Sequence, residues 1–171
     1  AHVEEAIENR RETMSDFMAG LTRFIRGLAK KVLIANQAGF VTATILAEES
    51  GNIGTSMLWL AVFAYAIQIY FDFSGYSDMA IGLGRMVGFR FPENFNYPYV
   101  SRSVTEFWQR WHISLTSFFR DYVYIPLGGN RVSKPRWLLN FSLVWLLTGI
   151  WHGAYWNFIF WGLFYCAVLL A

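Results

Sequence analysis

Residues 137–171, WLLNFSLVWLLTGIWHGAYWNFIFWGLFYCAVLLA, run for 35 positions without an Asp, Glu, Lys or Arg. A single bilayer crossing needs roughly 20 mainly apolar residues, so the run is long for one crossing and short for two with a loop between them. It reads as a long tilted helix or a hairpin, and Gly149 and Gly153 allow a bend near its middle. His152 lies beside that bend. A polar side chain at membrane depth usually faces a protein interior, a cavity or a pathway, so this imidazole needs one of those settings.

Composition favours the membrane setting. Hydrophobic residues make up 55% of the 171, aromatic residues 19% and charged residues 15%, against about 25% charged in an average soluble domain. A net charge of +2 is too small for the overall field of a nucleic-acid binder. Positions 79–136 nevertheless carry eight Arg or Lys against three Asp or Glu, a local excess suited to anionic head groups or an anionic substrate. Cys166 is the one cysteine, which rules out an internal disulfide and favours a small packed side chain over a thiol catalyst.

The chain opens with the mixed-charge segment AHVEEAIENRRETMSDFMAG, which lacks the basic start and apolar core of a signal peptide. Without an initial Met it reads as an internal piece of a longer chain. From Asp16 onward, Phe17, Leu21, Phe24, Leu28 and Val32 recur at helical spacing, while Arg23, Arg26, Lys30 and Lys31 load another part of the same surface. Residues 1–47 therefore read as an amphipathic interfacial helix running into a more buried one. Residues 50–90 read as a membrane span with a glycine-rich end, where Asp72 and Asp78 either cap, pair with Arg85 or Arg90, or shape a polar cavity. Turn formers fill 90–101, with Pro92 and Pro98 restricting the backbone and Asn94 and Asn96 able to cap.

Residues 104–127 are too polar and too short for a lipid-exposed span, and they read as a re-entrant or cavity-facing helix. A helix from Thr105 sets Trp108, His112 and Thr116 four apart on one face, with Arg120 continuing the register. Pro126 stops it, and Gly128 and Gly129 form the turn that follows. Asp121 is expected to pair with Arg120 or with a neighbouring helix. The three histidines and single cysteine form no recognisable metal-ligand cluster, so no metal site is expected.

His112 and His152 each sit in a polar interruption flanked by tryptophan, WQRWHIS and GIWHGAYW. A neutral imidazole has one donor and one acceptor nitrogen, so it can take a hydroxyl proton while its other nitrogen is held. The residues alone leave three uses open: a structural hydrogen bond, proton-transfer chemistry, or a conduction path. Forty residues separate the two histidines, and spacing does not show that they meet.

The segments YFDFSGYSDMAIGLGRMVGF, FWQRWHISLTSFFRDYVYIPLGGNR, WHGAYWNFIFWG and RGLAKKVLIAN together resemble the membrane-bound O-acyltransferase family. The resemblance covers nearly the whole chain and is strongest to the bacterial branch of alginate O-acetylation and teichoic acid D-alanylation. It implies an all-α, multispanning fold of which this chain is a central fragment, with re-entrant helices forming a funnel in the bacterial cytoplasmic membrane. It also implies acyl transfer, most simply of acetyl, from a thioester (acetyl-CoA or an acylated carrier protein) to hydroxyls of an exported polysaccharide. His152 and His112 fall on the family's motif histidines and inherit the catalytic expectation. Arg120, Trp108, Trp151 and Asn157 are expected to bind donor or acceptor, and Asp72, Asp78, Asp121, Pro126, Gly128 and Gly129 to support the site. Membrane lipids, the polysaccharide, secreted or membrane-associated acetyltransferase proteins and an acyl carrier protein are the implied partners, with no bound cofactor. D-alanyl transfer, or a membrane transporter or lipid-binding role, is the alternative.

Overall fold

The computed structural model describes residues 7, 10–48, 53–153 and 155–171. The rest of the hydrophilic start, His2 included, lies outside them. Among the described residues the regular structure is entirely helical, in agreement with the all-α reading. The chain divides into two compact units, residues 1–93 and 94–171.

The first unit begins with α1, Met14–Ala29. Thr13 caps it by accepting the Asp16 amide at 3.0 Å, which satisfies one of the unpaired N–H groups at a helix start. A π-turn at Lys30–Ala35 carries the chain without a break into α2, Asn36–Leu46. The apolar segment then forms α3, Thr55–Met86, a helix of 32 residues that is long and apolar enough to cross a membrane. Trp59, Leu60, Val62, Phe63 and Tyr65 lie exposed along its first half, as expected of a surface made for lipid or another protein.

Small residues set how α1 meets α3. A methyl on Gly27 would lie 2.5 Å from the Gly75 carbonyl oxygen, and one on Gly20 would lie 2.6 Å from that of Gly82. Rising numbers on one helix match falling numbers on the other, so the two run antiparallel with their backbones in near contact. The apolar stripe of α1 lies largely outside this contact: Phe17 and Leu28 are each 43% exposed, and the buried positions are Gly20 and Gly27.

The basic residues flanking those glycines turn toward α3. Arg23 and Lys30 each reach the Asp78 carboxylate at 2.6 Å, and Lys31 pairs with Asp72. The two acids are thus paired by Arg23 of α1 and by Lys30 and Lys31 of the π-turn that follows it, whereas Arg85 and Arg90, one set of partners the sequence offered, sit at 3.0 and 3.6 Å from Asp16. The physical reason is the glycine contact, which brings Arg23, Lys30 and Lys31 within reach of the two acids, while Asp16 at the start of α1 takes Arg85 and Arg90. The Arg85 hydrogen bond holds the Asp16 carboxyl below its ordinary range. A hydrogen bond to Glu93 raises the Arg23 guanidinium further above its own. Arg26 has no ion-pair partner among the described residues.

In the second unit, a 3-10 turn at Pro98–Val100 leads to α4, Val104–Arg110. Ser103 and Glu106 cap α4 reciprocally: the Ser103 hydroxyl accepts the Glu106 amide at 3.1 Å and Glu106 accepts the Arg102 amide at 2.8 Å. Helix α5, Ile113–Phe119, follows, and a π-turn at Arg120–Tyr124 extends it. The single helix expected from Thr105 is therefore two, because His112 takes left-handed backbone angles, φ 48° and ψ 54°. The turn beyond uses Gly128 at φ 103° and Gly129 at φ 51°, values that glycine adopts at little cost. Asn140, 1% exposed, ties that turn down by donating to the Leu127 carbonyl at 2.9 Å.

The charge-free run forms two helices, α6 over Lys134–His152 and α7 over Trp156–Leu170. Of the two shapes left open by its length, the hairpin is the one adopted. Its helices touch through glycine again: a methyl on Gly162 would lie 2.5 Å from the Trp145 carbonyl oxygen and 3.3 Å from the Gly149 Cα. Gly153, beside the break, adopts φ 160° and ψ 149° and ends α6 immediately after His152.

Candidate functional site

Helices α4 to α7 enclose a cavity of about 500 Å³ within the second unit. Trp108, Phe141 and Trp145 supply much of its apolar wall, and His112, Thr116, Arg120, Tyr124, Asn130 and His152 supply its polar groups. Both histidines thus line one space, although 40 positions separate them in sequence. Trp151 touches both rings, with centroids 5.5 Å from His112 and 4.9 Å from His152. The size suits a ligand pocket, and the few polar groups within an aromatic wall give it an orientation.

His152 is held from two sides. Its Nδ1 lies 2.8 Å from the Thr148 carbonyl one turn earlier, and Trp161 of α7 packs on the ring at a centroid distance of 4.7 Å. A carbonyl oxygen can only accept, so Nδ1 must carry the proton. The neutral ring then holds its lone pair on Nε2, the form a general base needs.

His112 is positioned by a backbone turn. A non-glycine residue in the left-handed region carries strain of about 1 kcal/mol or more, which persists where surrounding contacts determine it. Here those contacts come from Asn94. Its carbonyl oxygen accepts the Ile113 amide at 3.0 Å, and its side-chain Oδ1 accepts the Ser114 amide at 3.1 Å and the Ser114 hydroxyl at 2.9 Å. His112 Nδ1 lies 3.2 Å from the same Oδ1.

The other expected site residues divide by position. Trp108 and Arg120 line the cavity. Trp108 stands edge-on to Trp145, Trp161 and Tyr165 at 5.1, 5.6 and 4.9 Å, and its buried Nε1 has no hydrogen-bond partner among the described residues. Asp121 pairs with Arg120 at 2.7 Å and is not among the lining residues. Asn157 is exposed and also outside the lining. Pro126, Gly128 and Gly129 belong to the turn behind the cavity, while Asp72 and Asp78 belong to the first unit.

Three polar residues of the second unit carried no specific signal. The expected capping role of Asn94 is real, but the helix it caps begins about twenty positions later, at Ile113. Asn130 accepts the Trp137 indole N–H at 3.1 Å and the Tyr124 hydroxyl, joining two walls of the cavity. Asn140 lies in an otherwise apolar stretch, where an isolated amide is the one hint of a buried partner. No group of three or more His, Cys, Asp or Glu among the described residues is arranged to hold a metal ion.

Known proteins similar to this chain fall in one group. The chain is 52% identical over 158 residues to the "Probable alginate O-acetylase AlgI" of Azotobacter vinelandii, a match covering 92% of this chain and 31% of that protein. It is 48% identical over 145 residues to the peptidoglycan O-acetyltransferase of Helicobacter pylori, covering 84% and 27%. It is 33% identical over 162 residues to the teichoic acid D-alanyltransferase of Bacillus subtilis, covering 90% and 38%. The chain thus spans about a third of the length of these relatives. The model of the membrane-bound O-acyltransferase family matches residues 6–171. With the family pattern running through both units and both histidines on one aromatic cavity, the chain belongs to the membrane-bound O-acyltransferase family.

Proposed function

We propose that the protein containing this chain transfers an acyl group, acetyl in the first instance, from a thioester to hydroxyls of an exported cell-envelope polysaccharide. One observation carries the reading: two imidazoles line a single aromatic cavity, and the Nδ1 of His152 is committed to a backbone carbonyl. His152 Nε2 accepts the proton of the acceptor hydroxyl as its oxygen attacks the thioester carbonyl. The C–S bond then breaks, the acyl group stays on the oxygen as an ester, and the thiolate leaves to take up the proton. Thiolate is a good leaving group, so the protein's main tasks are alignment and stabilisation of the developing oxyanion.

His112 holds a reactant beside His152. Trp108, Trp151, Arg120 and Asn157 contribute to donor and acceptor binding, with Arg120 suited to the phosphates of a coenzyme A or carrier-protein arm. Acetyl is favoured over D-alanyl because identity to the alginate and peptidoglycan relatives is 52% and 48%, against 33% to the D-alanyl relative. Alginate or a similar glycan is the acceptor suggested by the first of these. The full-length protein is a multi-pass protein of the bacterial cytoplasmic membrane, with re-entrant helices around the cavity. Its partners are lipids, the glycan, an acetyltransferase protein on the outer side and, if the donor is not acetyl-CoA, an acyl carrier protein.

The test supplies the full-length protein with radiolabelled acetyl-CoA or acetylated carrier protein and a panel of glycans. Label in the glycan that disappears in His152→Ala, at unchanged membrane yield and helicity, is the expected result. Transfer retained in His152→Ala would remove the catalytic role. Glycan movement without a covalently changed product would favour a transporter.

A further inference from the structure

The Ser114 backbone N–H, 3.1 Å from the Asn94 side chain, can only donate, so the atom it meets is the amide oxygen. That settles the orientation of the Asn94 amide, which geometry of the amide alone would leave ambiguous. The same oxygen lies 3.2 Å from His112 Nδ1. The Ser114 hydroxyl also lies 3.4 Å from Nδ1, but at 2.9 Å it is nearer the Asn94 oxygen and donates there, so the acceptor facing Nδ1 calls for a proton on that nitrogen and leaves Nε2 as the acceptor nitrogen of a neutral ring.

We propose that Asn94 is a positioning residue that fixes the tautomer and plane of His112, so that His112 enters the reaction as a hydrogen-bond acceptor through Nε2. This rests on the acyl-transfer reading and sharpens it. A neutral His112 of this tautomer has no N–H to offer a thioester carbonyl or a developing oxyanion. It can orient a donor of hydrogen bonds, and the acceptor's hydroxyl group is the one the reaction supplies. His112 therefore belongs to the glycan side of the cavity, and carbonyl polarisation falls to another group.

Two features explain why an asparagine serves here. Its carbonyl oxygen holds the Ile113 amide at 3.0 Å while its side chain holds Ser114, so one residue secures both the left-handed turn and the ring. An amide also provides the acceptor without a charge, whereas a carboxylate beside the ring would favour imidazolium and remove the free lone pair.

The experiment labels histidine with 15N in the full-length protein, because protonated and bare ring nitrogens resonate in separate ranges. Wild-type His112, identified by the signal lost in His112→Ala, is expected to show protonated Nδ1 and bare Nε2. Asn94→Leu is expected to lose that pattern and to lower kcat about 100-fold, the scale of a positioned acid–base group, with the KM for the acyl donor changed less than about threefold. Asn94→Asp keeps an oxygen acceptor but adds a charge, so it should retain Nδ1 protonation, gain a proton on Nε2 at neutral pH, and recover activity only as pH rises and that second proton is lost. In a His112→Ala background, Asn94→Leu should cost little more, because the two residues act as a unit. A wild-type ring protonated on Nε2 alone overturns the proposal, as does an Asn94→Leu loss that is equally large without His112. The tautomer is read in the absence of turnover, so a failure of the acyl-transfer reading appears separately, as wild-type protein that labels no glycan.

Discussion

At the scale of single residues, the two histidines are held by different means and should respond differently to substitution. The partner of His152 Nδ1 is the main-chain carbonyl of Thr148, and the Thr148 hydroxyl instead donates back to Val144 at 2.8 Å. Thr148→Ala keeps the carbonyl, so acyl transfer should stay within a few-fold of wild type in the radiolabel assay; a loss as deep as that of His152→Ala would contradict the hydrogen-bond assignment. His112 carries a backbone constraint besides its chemistry, with φ at 48°. His112→Gly and His112→Ala should be equally inactive, yet the glycine variant should be more stable by about 1 kcal/mol, read as a higher midpoint in denaturation. Such strain was invisible in the sequence, where the spacing of WQRWHIS simply looks helical. His152 was easier to find, since an imidazole in a run without charge calls attention to itself.

At the scale of elements, contacts between glycines decide which helix faces meet. Gly27→Ala places its methyl 2.5 Å from a main-chain oxygen, whereas Gly39→Ala meets the Gln68 side chain at 2.8 Å, and a side chain can rotate away. The first should destabilise the α1–α3 pair by about 1–3 kcal/mol and the second by clearly less, as measured by thermal unfolding in detergent. Equal effects would show that main-chain proximity is not what holds the pair. Charge gives a second test at the start of α1. The Asp16 carboxyl is lowered by its Arg85 hydrogen bond, so its contribution is fully present above the unfolded value near 3.9 and is lost as pH falls through the lower, folded one. Amide protection at the start of α1, corrected for the intrinsic exchange rate at each pH, should be unchanged between about pH 7 and 5 and should fall below about pH 4; in Asp16→Asn that acid-induced change should shrink. The sequence reads α1 as an amphipathic interfacial helix, and that pattern does not say where it meets α3: hydrophobic periodicity reports large side chains, while the contact here is made where side chains are absent.

At the scale of the whole molecule, α3 is, among the described residues, the helix long and apolar enough to cross a membrane, and its surroundings can be mapped chemically. Cys166 is buried, so it interferes little with thiol labelling. In a full-length protein otherwise free of cysteine, Leu60→Cys and Phe63→Cys should resist a membrane-impermeant maleimide in intact vesicles, while Arg90→Cys should react from one side. Ready labelling of both α3 positions would contradict a lipid setting for that helix. Composition, the charge-free run and helical periods determined by themselves that the chain is helical and suited to a membrane, because these depend on local pattern and on solvent preference; the acyltransferase family came from the resemblance of its motifs, in their order, to that family. Tertiary structure alone decided that Asp72 and Asp78 pair with basic residues of α1 and of the π-turn after it, that the charge-free run folds as a hairpin, and that His112 and His152 share a cavity with Asn94 behind one of them. Each of these joins groups many positions apart, and such contacts follow from how closely backbones pack, which spacing along a single chain does not encode.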